Sequence, residues 1–326
     1  MMKVVFAGAF ATRLLDPVRE KLNTQCELIA GDEIGVLSKL VDADVLVTMA
    51  FSRGMAQAAP ALKLVQVPGA GLDRIDRAAL RHETWLANAY GHEIGIAEYV
   101  LGSMLSLTRS FGRLDQKLRS GIWESQWAIG VPAPPLWAEL AGKTLGILGY
   151  GHIGQALAKR ARAFDMDVWA IRQRTHRSRP PELAFLGGAD QLHEVLRQAD
   201  YLAITLSLSD ATRNLIAERE LRLMKPTAFL INVARAEIVD EGALYRCLVA
   251  KQIAGAALDV WYRYPVSSGP TWPAAHAFHQ LDNVLMSPHV SGWTEGMLQA
   301  RSALIAENIN RAARGEKPLN CIASRQ

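Results

Sequence analysis

Short runs of β-branched and aliphatic residues alternate with longer stretches of helical periodicity along most of the chain. Val4–Ala7, Val45–Met49 and Leu64–Val67 read as buried strands, with helical stretches such as Asp16–Leu22 between them. Such alternation predicts a parallel sheet flanked by helices. Beyond Asn88 the pattern changes to one long helix, roughly Gly95–Arg119. Val131-Pro132-Ala133-Pro134-Pro135 follows and cannot be helix interior. A second alternating series then begins, with strands at Thr144–Leu148, Asp167–Ile171, Tyr201–Thr205, Ala228–Asn232, Gly255–Val260 and Val284–Ser287. Ser267-Ser268-Gly269-Pro270 reads as a surface loop. The last helix, about Thr294–Arg314, is expected to end at Gly315 as its C-cap.

Two such series in 326 residues predict two α/β domains, each with its own core. A net charge of +4, evenly scattered, argues against a nucleic-acid partner and fits a mild attraction for small anions. Cys26, Cys247 and Cys321 are odd in number and far apart, which fits reduced thiols in a cytoplasmic protein rather than a metal site or disulfide framework. The apolar run Val4–Ala11 is followed at once by Arg13 and Asp16, so it reads as a first strand entering a helix, not as a signal sequence. Nothing approaches the run of about 20 apolar residues that a membrane span requires.

The sharpest local signal is Gly149-Tyr150-Gly151-His152-Ile153-Gly154, a G-x-G-x-x-G placed directly after a buried strand and opening the helical run Gln155–Phe164. Gly149 permits the tight turn, Gly151 lets the backbone approach a pyrophosphate, and Gly154 lets helix and strand pack closely. The helix N-terminus adds amide donors and a favourable dipole. A dinucleotide is therefore the expected cofactor. The next strand should end in the residue that reads the adenosine ribose, and an acid there would repel a 2′-phosphate. That position, 18 residues beyond Gly154, is Arg172, followed by Arg174, Thr175 and His176. Guanidiniums and a hydroxyl suit a phosphate dianion, which points to NADP, with NAD possible as an alternative.

Several segments, in order and over nearly the whole chain, resemble the D-isomer-specific 2-hydroxyacid dehydrogenases. Leu64-Val65-Gln66-Val67-Pro68-Gly69-Ala70-Gly71-Leu72-Asp73 is similar to that family's substrate loop, and Leu140-Ala141-Gly142-Lys143-Thr144 leads into the glycine turn as its chains do. Ile231 to Asp240 looks like the segment carrying its catalytic arginine, here Arg235. Ala256-Ala257-Leu258-Asp259-Val260 and Ser287-Pro288-His289-Val290-Ser291-Gly292 look like its remaining site segments.

The resemblance implies two Rossmann-like domains with parallel sheets. Residues 1–98 with 290–326 would form the substrate domain, and 99–289 the inserted cofactor domain. It implies His289 as proton donor, Arg235 as the carboxylate clamp and carbonyl polariser, and the amides of Ala70 and Gly71 as further carboxylate ligands. His152, Ile153, Thr205, Ala234 and Asp259 would join the glycines and Arg172, Arg174 and Thr175 around the cofactor. A homodimer pairing through the cofactor domain and its long helix is implied as well.

Two departures stand out. The family usually has a glutamate five residues after the aspartate of Leu-Asp-Val, paired with the histidine; Tyr264 stands there. A carboxylate favours the charged imidazole, whereas a neutral phenol orients the ring without that charge effect. Related formate dehydrogenases use a neutral glutamine in that slot. Gly91-His92-Glu93-Ile94-Gly95-Ile96-Ala97-Glu98-Tyr99 lacks the asparagine of formate dehydrogenases and carries Tyr99 where the family usually has histidine. The leading expectation is reduction of a small 2-keto acid of the glyoxylate or hydroxypyruvate type. The alternatives are oxidation of another small anion, formate or phosphite, and a cofactor-sensing corepressor-like protein.

Overall fold

In the computed structural model, which describes residues 1–173 and 178–323, the chain divides into two compact units. Unit 1 is Met1–His92 with Trp293–Gln326, and unit 2, Glu93–Gly292, is inserted into it. The division at His92, against the sequence-based position of 98, falls where a helix begins, so that the whole helix stays with one unit.

Unit 1 starts with β1 (Met2–Ala7), α1 (Ala9–Arg13), α2 (Leu15–Arg19), β2 (Cys26–Gly31), β3 (Val45–Thr48), α3 (Arg53–Ala58), β4 (Leu64–Gln66) and β5 (Trp85–Ala87). Unit 2 contributes α4 (Glu93–Arg109), α5 (Phe111–Arg119), β6 (Thr144–Leu148), α6 (His152–Arg162), β7 (Asp167–Ile171), β8 (Phe185–Gly187) and α7 (Leu192–Gln198). It continues with β9 (Tyr201–Ile204), α8 (Glu218–Leu221), β10 (Phe229–Asn232), α9 (Glu241–Val249), β11 (Gly255–Leu258) and β12 (Val284–Met286). The chain returns to unit 1 with α10 (Glu295–Ala313) and β13 (Cys321–Ala323).

Among the described residues, the sheet of unit 1 runs β13-β5-β4-β3-β1-β2, and that of unit 2 runs β12-β11-β10-β9-β6-β7-β8. The parallel sheets expected from the alternating pattern are present, with one addition: β13 pairs antiparallel with β5. Every residue of β3, β9 and β11 is buried, as in strands covered on both faces by helices. In unit 2 the order reverses between β6 and β9, and the carboxyl ends at such a switch point form the usual ligand crevice.

The long helix expected over Gly95–Arg119 is instead two, broken at Ser110, which is left-handed at φ 53°. The physical reason is burial: α4 buries a face that includes Val100, Met104 and Thr108, whereas no residue of α5 is buried. The final helix is closed at its start by Thr294, whose side chain accepts from the Met297 amide, and Gly315 follows it at φ +74°.

Candidate active site

The glycine turn joins β6 to α6. Gly149 has φ +106°, and a Cβ there would lie 2.9 Å from the Leu206 nitrogen, so no L side chain fits. A Cβ on Gly154 would lie 2.5 Å from the Gly149 carbonyl oxygen, which shows how closely the first turn of α6 packs on the strand end. A Cβ on Gly151 would meet nothing within 4 Å, so the space over this residue is open. The N-cap residue of α6 is Gly151, which has no side chain with which to cap the first amides. An open backbone cradle at the start of an 11-residue helix suits the pyrophosphate of a dinucleotide.

His152 is the exposed first residue of α6, and Ile153 packs into the core below. Thr205, at the end of the neighbouring β9, donates its hydroxyl to the Gly149 carbonyl at 2.7 Å and so braces the turn from beneath. Arg172 directly follows β7, with its amide on the Gly187 carbonyl at 3.1 Å and its side chain half-buried. Arg174 and Thr175, expected beside it, lie outside the described residues. Sequence reasoning missed Glu182, whose carboxylate accepts the Tyr150 hydroxyl from the middle of the turn.

The second cluster lies at the carboxyl ends of β10, β11 and β12. Register brings it together: Asn232 pairs with Leu258, and Leu258 with Met286, so Arg235, Asp259 and Ser287–His289 leave adjacent strands at one level. Asn232 shapes the first exit, its amide accepting from the Ala234 N–H at 3.1 Å and donating to the Arg235 carbonyl at 2.9 Å. Arg235 is half-buried and donates to the Ala234 carbonyl at 2.8 Å. Ala234 itself is buried. The signal for Asn232 was present in the sequence, since a polar residue ending the apolar run Phe229–Ile231 invites an Asx turn.

Asp259 is fully buried, and its carboxylate accepts from the Ser287 hydroxyl at 2.6 Å and from the Val290 and Ser291 amides at 2.8 Å each. The loop it holds carries His289, which is exposed and left-handed at φ 58°. Tyr264 bonds the ring: its hydroxyl lies 2.7 Å from His289 Nδ1 and accepts from the Trp261 amide at 3.4 Å. Burial of the Tyr264 ring raises the phenol's pKa, opposed by the Trp261 amide and by the positive charge of Arg235. A phenol hydroxyl can accept from Nδ1–H or donate to a bare Nδ1, so Tyr264 fixes the ring's orientation through Nδ1 and leaves Nε2 for proton transfer.

In unit 1, Ala70 and Gly71 follow β4 in a turn held by buried amides. Asn88 Nδ2 donates to the Ala70 carbonyl at 3.0 Å, and the Ala89 amide to the Gly69 carbonyl at 3.1 Å. Beneath them, Asn308 of α10 donates to the Gln66 side chain at 2.7 Å.

Comparison with known proteins gives consistent matches. Residues 101–291 match the family model described as the D-isomer specific 2-hydroxyacid dehydrogenase, NAD binding domain. The chain is 35% identical over 293 residues to a glyoxylate reductase of Pyrococcus furiosus, covering 87% of this chain and 83% of that one. It is 34% identical over 295 residues to a D-3-phosphoglycerate dehydrogenase of Methanocaldococcus jannaschii; that match covers 88% of this chain but spans only 53% of the relative's length. The solved 2-hydroxyacid dehydrogenase of Ketogulonicigenium vulgare aligns over 100% of both chains with a TM-score of 0.81 at 26% identity.

Proposed function

Because the chain belongs to the D-isomer-specific 2-hydroxyacid dehydrogenase family, an NAD(P)-dependent oxidoreductase family acting on small 2-keto and 2-hydroxy acids, we propose that it reduces a small 2-keto acid of the glyoxylate or hydroxypyruvate type with NADPH preferred over NADH. The observation that carries this reading is the convergence of Arg235 and the Tyr264–His289 pair at the carboxyl ends of β10–β12, the same sheet edge that bears the glycine turn.

The coenzyme, when bound, supplies the hydride. The turn of Gly149, Gly151 and Gly154 holds its pyrophosphate, and Arg172 binds the 2′-phosphate as a permanently charged fork. Arg235 clamps the substrate carboxylate and polarises the carbonyl. His289 gives a proton from Nε2 to the developing alkoxide. Tyr264 accepts from Nδ1–H of the imidazolium and, once Nε2 has given up its proton, from the Nδ1–H that the neutral ring keeps.

The proposal extends to a homodimer pairing through unit 2. The exposed Phe111, Ile122, Trp123, Trp127, Ile129 and Leu136 on α5 and the segment after it support a second copy as the cover for this face. It extends also to the cytoplasm, with which the odd number and wide spacing of Cys26, Cys247 and Cys321 agree. No helix among the described residues is long and apolar enough to cross a membrane.

The test is kcat/KM for glyoxylate and hydroxypyruvate with each coenzyme, in wild type and in Arg172→Asp, with formate oxidation run alongside. Keto-acid reduction with NADPH ahead of NADH, and a reversed preference in Arg172→Asp, are expected. Equal or better use of NADH by the wild type would remove the coenzyme assignment. Turnover of formate but of no keto acid would remove the substrate assignment.

A further inference from the structure

Three hydroxyl and carboxylate groups behind the His289 loop form a chain that the hydride-transfer chemistry does not itself require. Ser287 Oγ lies 2.6 Å from Asp259 Oδ1 and 2.5 Å from the Tyr99 hydroxyl on α4. A carboxylate only accepts, so the serine proton points to Asp259, and Tyr99 must donate to Ser287. The direction of the chain is thereby set from helix to loop. From the other side, the Trp261 indole N–H donates to the Ser287 carbonyl at 2.7 Å.

We propose that Tyr99 and Ser287 are positioning residues for the proton donor: with Asp259 they form a latch that holds His289 in its left-handed backbone conformation. A non-glycine residue in that region persists only where its surroundings over-determine it. Here the Asp259 carboxylate takes one bond from the residue two before His289 and two from the residues that follow, closing a ring around the strained position. Tyr99 keeps Ser287 turned toward Asp259, since the serine's acceptor lone pair is engaged by the phenol and its proton is left for the carboxylate. Removing the phenol hydroxyl frees Ser287 to rotate, loosens the loop and lets the imidazole wander from the geometry that Tyr264 sets. Misplacement of a catalytic group by about 1 Å can cost 10²-fold in rate.

This inference rests on His289 being the proton donor, and the experiment separates the two. Tyr99→Phe, Ser287→Ala, the double variant and His289→Ala are compared in keto-acid reduction by NADPH, with coenzyme Kd measured by fluorescence titration. Tyr99→Phe should lower kcat about 10-fold or more, leave coenzyme Kd unchanged, and displace the alkaline limb of the pH–rate profile. The double variant should be no worse than Ser287→Ala alone, because both act through one chain. Ser287→Thr, which keeps the hydroxyl, should rescue the loss. If His289→Ala is inactive but Tyr99→Phe matches wild type in kcat and pH profile, the latch is overturned while the proton donor stands. Additive losses in the double variant would overturn it as well. If His289→Ala stays active, the donor assignment and the latch fall together.

Discussion

Tyr264 places a phenol, not a carboxylate, on the imidazole that is assigned the proton. Burial raises its pKa above the ordinary tyrosine value of about 10, so the partner stays neutral through the working pH range. The reductive acid is the protonated ring, so the rate of reduction falls as pH rises through the ring's pKa. A carboxylate at this position favours the imidazolium and moves that fall to higher pH. Tyr264→Glu should therefore shift the alkaline limb of the reductive kcat/KM profile upward, and superimposable limbs would show that the residue does not tune the ring. Tyr264 and His289 were legible in the sequence as a pair, because they stand in recognisable segments at the expected spacing. Tyr99 was noted only as a departure from the family's usual histidine, and neither its bond to Ser287 nor the turn made by Asn232 was read, because a side chain's partner in a distant element or in the backbone leaves no local mark.

Most strands were readable, the three-residue β4 and the edge strand β12 among them, while β2, β5, β8 and β13 were not read. β2 is mostly half-buried, so its apolar signal is diluted, and β5, β8 and β13 are three residues each. The break at Ser110 was hidden because helical spacing continues across it; only the loss of a covering surface distinguishes α5 from α4. The β6–α6 junction, by contrast, is written in its glycines. Gly154→Ala puts a Cβ against the Gly149 carbonyl, a backbone atom that cannot turn aside. The helix start must then move off the strand end, and NADPH Kd should rise at least about tenfold, with a lower Tm. A variant binding NADPH as tightly as wild type would show that the turn's close packing is dispensable for the coenzyme.

At the scale of the whole molecule, two α/β units of related topology make up the chain, and the glycine turn, Arg235 and His289 all belong to unit 2. The apolar face of α5 and the segment beyond it predicts association, so sedimentation at micromolar concentration should give a species of twice 35.7 kDa. A single 35.7 kDa species would leave that face without its proposed partner. The most direct test of the account is single-turnover oxidation of bound NADPH by a keto acid, in wild type and Arg235→Ala, with NADPH Kd measured on both. The guanidinium acts on the substrate and not on the coenzyme, so the rate should fall about 10²–10³-fold with Kd nearly unchanged. A rate within a few-fold of wild type, or a loss explained by weaker NADPH binding, would contradict the account.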